Sequence, residues 1–544
     1  MNRIIKATAL LIATFMCGNG IIAQNKSEGS ELHLFTQGSY IISDGENAPY
    51  WLTARRQGLS SIEPKNGYIR MGGVYKGTLG KRKNYNYTIA ADIIANENNE
   101  SSFFLQQAYI EINRKWLTLS IGSKERFSEA KGDCEQFSSS AFGTNRVNTL
   151  FPNLYGTGLT DMSSGGLTYS GNSRPIPQIR LEIPQYTPVP GTNKWLQVRA
   201  HIAYGKFTDG DFQQEYTSSY PTARYGKNIL YHSKAAFIKI GKPQKFPLIF
   251  EGGVELYSQL GGDIYNHEQG HIVSMPHTLK DYFKALVPLS GGDDTPLDEQ
   301  TNISGNQTGS WHIAFTIPTK VADIRLYGEH MFEDFSQLFF FEYQMNHKGE
   351  KRIIYYPWKD LMLGIRLTNK SNTAPFIGAV QYEYMSTYDQ SGALYHDPSD
   401  NFHEQMDGQD NYYNHGIYPG WHHWGMGMGN PLVVSPLYNR NGNLEFRGNR
   451  IISHNIGVNG YIGNKIPIAY RLQYTYSENW GSYYHPFDNK RYTTSLLAEF
   501  IYAPKKKSWI ASCSFAHDKS NLIGNNTGVM LTFSHIFSIK NNRK

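Results

Sequence analysis

After residue 23 the 544-residue chain has no apolar run long enough to cross a bilayer as a helix, which takes about 20 residues, and its mean hydropathy is only −0.49. A bundle of membrane helices is therefore excluded. Cysteine is scarce: the chain has 3, and Cys134 and Cys513 are the two that remain once Cys17 leaves with an N-terminal leader. Two such distant cysteines make no disulfide framework, although one bridge between them is chemically open in an oxidising compartment. Charge of one sign is also scarce. The formal +6 falls to +4 without Arg3 and Lys6, and the lysine run 505–507 sits at an expected turn, so no nucleic-acid partner is implied. No G-x-S-x-G elbow occurs, and the GMGMG run at 425–429 lacks the spacing and βαβ setting of a dinucleotide site, so no nucleophile motif and no cofactor follow.

The leader reads plainly. Arg3 and Lys6 precede an apolar stretch from Ala7 to Met16, then small and polar residues up to Ala23, the layout of a secretory signal peptide. Residues 1–23 are expected to be removed, leaving 24–544 as one domain. A lipid anchor on Cys17 is the rival, but Thr14, Phe15 and Met16 before it include bulky residues where small ones are needed.

Aromatic residues are plentiful, with 38 Tyr, 28 Phe and 9 Trp beside 52 Gly. Their setting has a period of two. In 196–204, Leu196, Val198, Ala200, Ile202 and Tyr204 fall on one face and Gln197, Arg199 and His201 on the other. Ile468, Tyr470, Leu472, Tyr474 and Tyr476 repeat the pattern against Arg471, Gln473 and Thr475. Similar segments are read at 85–93, 105–112, 117–121, 248–256, 311–317, 324–330, 361–367, 376–384, 444–452, 455–462, 494–502, 509–515 and 529–537, near the ~9–11 residues that cross a bilayer at a tilt. Short links such as 463–467 alternate with long polar ones. The expected fold is all-β: a transmembrane antiparallel barrel of about 16–18 strands with long loops and short helical insertions, in an outer membrane. A secreted β-sandwich or propeller also alternates, but does not call for tyrosine and tryptophan at the segment ends or for a closing strand near the C-terminus. One segment departs from the period: Leu279, Tyr282, Phe283 and Leu286 form a helical stripe with Thr278 as its cap, expected against the barrel mouth or lumen.

Several constellations suggest chemistry. His267-Glu-Gln-Gly-His271 matches a zinc-protease motif, with His277 further on, but that motif works only on a helix, and Gly261, Gly262, Gly270 and Pro276 forbid one; no metal is expected. Glu329, Glu333 and Asp334 could suggest the carboxylate pair of a glycosidase. Alternation of Glu329 with neighbours on its strand instead makes these three, with Arg199, lumen-lining residues. Residues 411–424 are the best ligand candidate. Tyr412, Tyr413, Asn414, His415, Trp421, His422 and Trp424 combine rings that stack on sugar C–H faces with amides that pair with hydroxyls, Gly416, Pro419 and Gly420 turning the rings outward. The alternative is an interfacial belt or the packing of a folded loop. The stretch 396–410, with His396, Asp397, Asp400, His403, Glu404, Asp407 and Asp410, reads as a polar surface loop rather than a cation site.

The stretch NYYNHGIYPGWHHWGMGMGNP at 411–431, with 383–392, 326–334, 449–457 and 176–179, resembles the Wzi-type capsule-assembly outer-membrane proteins over nearly the whole mature chain. The resemblance implies a non-enzymatic barrel of about 18 strands that binds capsular or surface polysaccharide and holds the capsule to the cell. The competing expectation is an outer-membrane pore for a polar or saccharide substrate. Polysaccharide and outer-membrane lipid are the expected partners; the glycan, the state of the lumen and the oligomeric state are not legible.

Overall fold

The computed structural model describes residues 30–80, 84–96, 103–126, 162–242, 245–286, 305–333, 338–339, 341–345, 351–355, 358–371, 375–395, 406–463, 468–504 and 507–540. The leader, Cys134, Asp334 and the 396–405 part of the histidine and acidic loop lie outside them.

Eighteen strands form one sheet that closes on itself. They are β1 (Glu31–Ser43), β2 (Lys65–Leu79), β3 (Tyr85–Asn96), β4 (Phe103–Arg114), β5 (Leu117–Ser123), β6 (Gln178–Pro188), β7 (Leu196–Lys206), β8 (Leu230–Ile240) and β9 (Ile249–Leu260). The circuit continues through β10 (Asn306–Pro318), β11 (Ala322–Glu333), β12 (Leu361–Asn369), β13 (Ala379–Ser386), β14 (Ile451–Ile462), β15 (Ile468–Gly481), β16 (Pro486–Tyr502), β17 (Trp509–Ser520) and β18 (Asn526–Lys540). Each is antiparallel to the next, and β18 pairs back on β1 from Glu31↔Lys540 to Ser43↔Gly528. Closure leaves no sheet edge unpaired, the condition for a sheet to sit in hydrocarbon.

The links alternate in length. Residues 115–116 and 319–321 make two of the tight turns at one end, while 124–177, 261–305 and 387–450 are long connections at the other, which makes the turn end periplasmic and the loop end extracellular.

Alternation along each strand separates a lipid face from a lumen face. On β1, Leu34, Tyr40 and Ile42 are exposed while His33, Phe35, Gln37, Ser39 and Ile41 are buried. Ile456, Leu472, Tyr474 and Leu496 continue the exposed apolar belt, and exposed aromatics cluster at its ends: Trp116, Trp195, Phe246 and Phe376 in the turns, Tyr40 and Tyr492 towards the loops. A closed barrel with an apolar belt bounded by aromatic bands is an outer-membrane protein.

The lumen is filled. Segments 44–64, 162–177, 207–229 and 411–450 fold inward, and Trp51, Leu52, Leu167, Phe207, Tyr412, Tyr413, Trp421 and Phe446 share one buried cluster with the wall. The wall contributes Ile41, Tyr231, Tyr257 and Leu497 to it, and also Met331, Met362, Met385 and Met530, unbranched side chains that fit irregular gaps. Nearer the turns, Phe35, Val74, Ala90, Ile501, Ile510 and Ile536 make a second buried cluster.

Three local expectations change. Residues 444–450 belong to the plug, and β14 starts at Ile451. The His267–His271 motif lies on a hairpin of Gly262–Asn266 and Gly270–Met275, with the His267 ring against Gln214 O at 2.8 Å. The helix occurs as Leu279–Leu286, but Asp281, Lys284 and Ala285 are its buried residues and Leu279 and Phe283 are exposed.

Leu472 pairs with Val458 and Ala498 on the lipid face. Leu472→Arg is expected to cost about 2–4 kcal/mol near mid-membrane, and Leu472→Phe close to nothing, in urea titrations of the barrel in bilayers. Equal tolerance of both substitutions would contradict the face assignment.

Candidate functional site

The inner wall carries carboxylates whose partners are backbone amides of the plug. On β11, Glu329 Oε1 accepts from Leu167 N at 2.7 Å and Glu333 Oε1 from Tyr413 N at 2.8 Å. On β13, Glu383 Oε2 accepts from Ser164 N at 2.7 Å, while Tyr327 donates its hydroxyl to Glu383 Oε1 at 2.6 Å. On β17, Asp518 Oδ2 accepts from Tyr50 N at 2.7 Å. Asp360, just before β12, takes Gln390 N at 2.6 Å and the Tyr412 hydroxyl at 3.0 Å. The placement of Glu329 and Glu333 is thus inward, but they face plug rather than water. Arg199 also points inward and stacks between Tyr186 and Phe237, 5.1 and 4.6 Å from their ring centres. Asp334 is not among the described residues.

The aromatic loop is the main correction. Tyr412, Trp421 and His422 are 0% exposed and Tyr413 1%, so these rings are not turned outward. Trp421 Nε1 donates to Thr168 O at 2.8 Å, and Tyr413 donates its hydroxyl to Leu167 O. Asn414 spends its amide within the plug, giving to Phe446 O at 2.9 Å and receiving Phe446 N at 2.8 Å. His415 Nδ1 receives Ile417 N at 3.0 Å, and the half-buried Trp424 lies against Arg174, 4.3 Å from its ring centre. Gly429 lets the Tyr413 ring in, since a Cβ there would sit 2.6 Å from the ring. A loop of rings and amides suits a dry plug for the reasons it suits sugar: large apolar area, with polar atoms to satisfy the backbone.

Exposed rings occur elsewhere, at the loop end of β15 and β16. The Arg450 guanidinium lies over Tyr483 and Tyr388, at 3.9 and 4.5 Å, and Lys490 Nζ over Trp480 and Tyr492, at 5.2 and 5.1 Å. Lys490 also pairs with Glu478 at 2.8 Å, and Tyr484 beside them is largely exposed. This rim of rings and cations was missed in the sequence, where its signal is faint: an aromatic-rich stretch, 480–492, spanning the turn between two strands longer than a bilayer needs.

Among the described residues Glu255, His312 and Glu329 bring one possible metal-ligand atom each within 4.8 Å of one another. His312 Nε2 is 3.3 Å from Glu255 Oε1 and 2.9 Å from Ser310 Oγ, so the group is knit into the wall, and through Glu329 into the plug.

Among the groups buried in the plug and against it, His422 and Asp360 are shifted in opposite directions. Burial, with the adjacent His423 adding to it against the pull of Asp209, pushes the His422 imidazole down to about 4 from 6.5. Burial pushes the Asp360 carboxyl up to about 6 from 3.8, although Tyr412 and the Asp389 and Gln390 amides hold it lower than burial alone would.

Closed sheet, apolar belt and filled lumen define the class: an outer-membrane β-barrel with an internal plug. No protein-family model matches the chain, and no curated protein matches it. Among solved structures it is similar to Wzi of Escherichia coli, described as an outer-membrane carbohydrate-binding β-barrel involved in group 1 capsule assembly, with 12% identity, a TM-score of 0.49, and coverage of 92% of this chain and 83% of that one. It is also similar to Pseudomonas aeruginosa OccK5, with 9% identity, TM-score 0.45 and coverage of 94% and 98%, and to OprD of the same organism, with 10%, 0.44, and 94% of each chain. These are likenesses of fold at low identity.

Each carboxylate–amide bond is worth about 1.5–3 kcal/mol. Glu329→Ala combined with Glu383→Ala should therefore loosen the plug in an intact barrel, seen as new conductance in planar bilayers; a double variant as silent as the parent would contradict the anchoring role.

The two shifted groups have opposite slopes. Stability from the depressed His422 is present above pH 6.5 and lost as pH falls through about 4, whereas stability from the raised Asp360 is present below pH 3.8 and lost as pH rises through about 6. Relative to the parent, His422→Gln should raise the protease resistance of the plug near pH ~4 compared with that near ~7, and Asp360→Asn should lower it. Identical pH profiles in the two variants would refute both assignments.

Proposed function

We propose that this chain is a non-enzymatic outer-membrane barrel that binds capsular or other surface polysaccharide through its extracellular rim and helps retain or assemble the capsule. The filled lumen carries the proposal. Wall carboxylates that could serve hydrolysis, Glu329 and Glu333, hold plug amides instead, and the same plug opposes the pore reading. What is left for a hydrophilic polymer is the rim, where rings for sugar faces stand beside Arg450, Lys490 and Arg491, a combination suited to a glycan bearing carboxylates. The likeness of 411–431 and the other quoted stretches to the Wzi-type family supports the same reading. The buried aromatic loop then acts from beneath, as the rigid support of the rim, with half-buried Asn414, His415 and Trp424 as its members nearest solvent.

The test is binding of the purified full-length protein, in detergent or nanodiscs, to polysaccharide extracted from the cells that make it. Binding that weakens with salt, together with near-silence in planar bilayers, is expected. Tyr484→Ala with Lys490→Ala should lower affinity roughly 5–150-fold, each lost contact being worth about 0.5–1.5 kcal/mol, while heat-modifiable gel mobility stays normal. Steady conductance without glycan binding would favour the pore.

A further inference from the structure

The outer wall of β7, β8 and β9 carries a polar patch where a lipid-facing surface should have none. Register fixes which way these residues point. Tyr204 pairs with Ile179 and with His232, and Lys234 pairs with Ile202 and Leu256. Directly paired residues share a face, and Ile179, exposed on the outside, marks that face as the lipid side. Yet His232 is fully buried.

What covers it is the helix Leu279–Leu286. Tyr204 donates its hydroxyl to Tyr282 O at 2.9 Å, their rings lie 5.3 Å apart, and the Tyr204 ring in turn sits 4.3 Å from His232. Lys234 Nζ donates to Ala285 O at 2.5 Å, placing a cation at the negative end of the helix. At the other end Thr278 N and Oγ1 both donate to Asp281 Oδ2, at 2.7 Å each. The helix is thus capped at both ends and fastened to the outer wall near the loop end of the barrel, not within its lumen.

This fastening inverts the helix relative to a water-soluble one. Asp281, Lys284 and Ala285 are buried, whereas Leu279 is 90% and Phe283 56% exposed, one turn apart on the same face. Exposed leucine and phenylalanine, on a helix held to Lys234 between Ile202 and Leu256, prolong the apolar belt rather than interrupt it.

We propose that the helix Leu279–Leu286 lies in the outer leaflet of the membrane, with Leu279 and Phe283 among lipid acyl chains and Lys234 as the clasp that holds it to the barrel. The occupant of this surface is lipid, because the belt it continues already faces lipid and because a lysine between Ile202 and Leu256 is tolerable there only when its ammonium is capped. The inference does not depend on which glycan the rim binds.

A fluorophore tests it. In the full-length protein with Cys17→Ala, Cys134→Ala and Cys513→Ala, an environment-sensitive dye is placed on Phe283→Cys and, as reference, on Tyr484→Cys at the rim, and each is reconstituted in phosphatidylcholine vesicles. The dye at 283 should emit to the blue of the reference and be quenched several-fold more by acyl-brominated lipid than by aqueous iodide; the reference should show the opposite ranking. Adding Lys234→Ala should move the 283 signal towards the reference while the barrel keeps its heat-modifiable mobility. Iodide quenching at 283 without bromine quenching would overturn the membrane placement. Unchanged emission in the Lys234→Ala variant would overturn the clasp.

Discussion

The rest of the structure depends on hydrogen bonds between carboxylates on the inner wall and peptide N–H groups of the plug. An eighteen-strand circuit encloses more space than its own side chains fill, and the chain fills it with loops whose amides are shut away from water. Each such amide needs an acceptor. Glu329, Glu333, Glu383 and Asp518 supply four, from three different strands, to Leu167, Tyr413, Ser164 and Tyr50. Because the acceptors are fixed in the rigid sheet, they position plug segments far apart in sequence relative to one another, and through them the rim above.

The same constraint explains what was legible in the sequence and what was not. The barrel was read correctly where the lumen face is polar, as at Gln197, Arg199 and His201. Strands β1, β2, β6 and β8 were missed. On β1 the lumen face includes Phe35 and Ile41 because apolar residues, not water, lie opposite, so alternation is blurred. On β8 the polarity is partly reversed, since outward His232 and Lys234 are covered by the helix from 261–305. Local pattern cannot report a contact made by residues forty or more positions away.

The candidate site shows that limit more sharply. Glu329 and Arg199 were read as lumen-lining from alternation along their strands, with Glu333 and Asp334 beside them. Parity could not say that the partners of Glu329 and Glu333 are plug amides. Tyr412, Tyr413, Trp421 and His422 have the composition of a sugar platform, and only long-range packing, such as Trp421 against Thr168 and Tyr413 against Leu167, decides that they are interior. The rim around Arg450 and Lys490 escaped notice because its rings come from 388 and 480–492, apart in sequence and brought together by the pairing of β13, β14 and β15.

On the reading proposed above, a barrel whose lumen holds an anchored plug, and whose exposed rings lie outside it, works at its outer surface rather than through its bore. The most direct test of the seal is hydrogen exchange of the plug amides in the folded, membrane-embedded protein. If wall carboxylates hold them, peptides covering 162–170 and 411–424 should exchange as slowly as those from β11 and β13. Exchange as fast as that of the exposed turn at 189–195 would contradict the account.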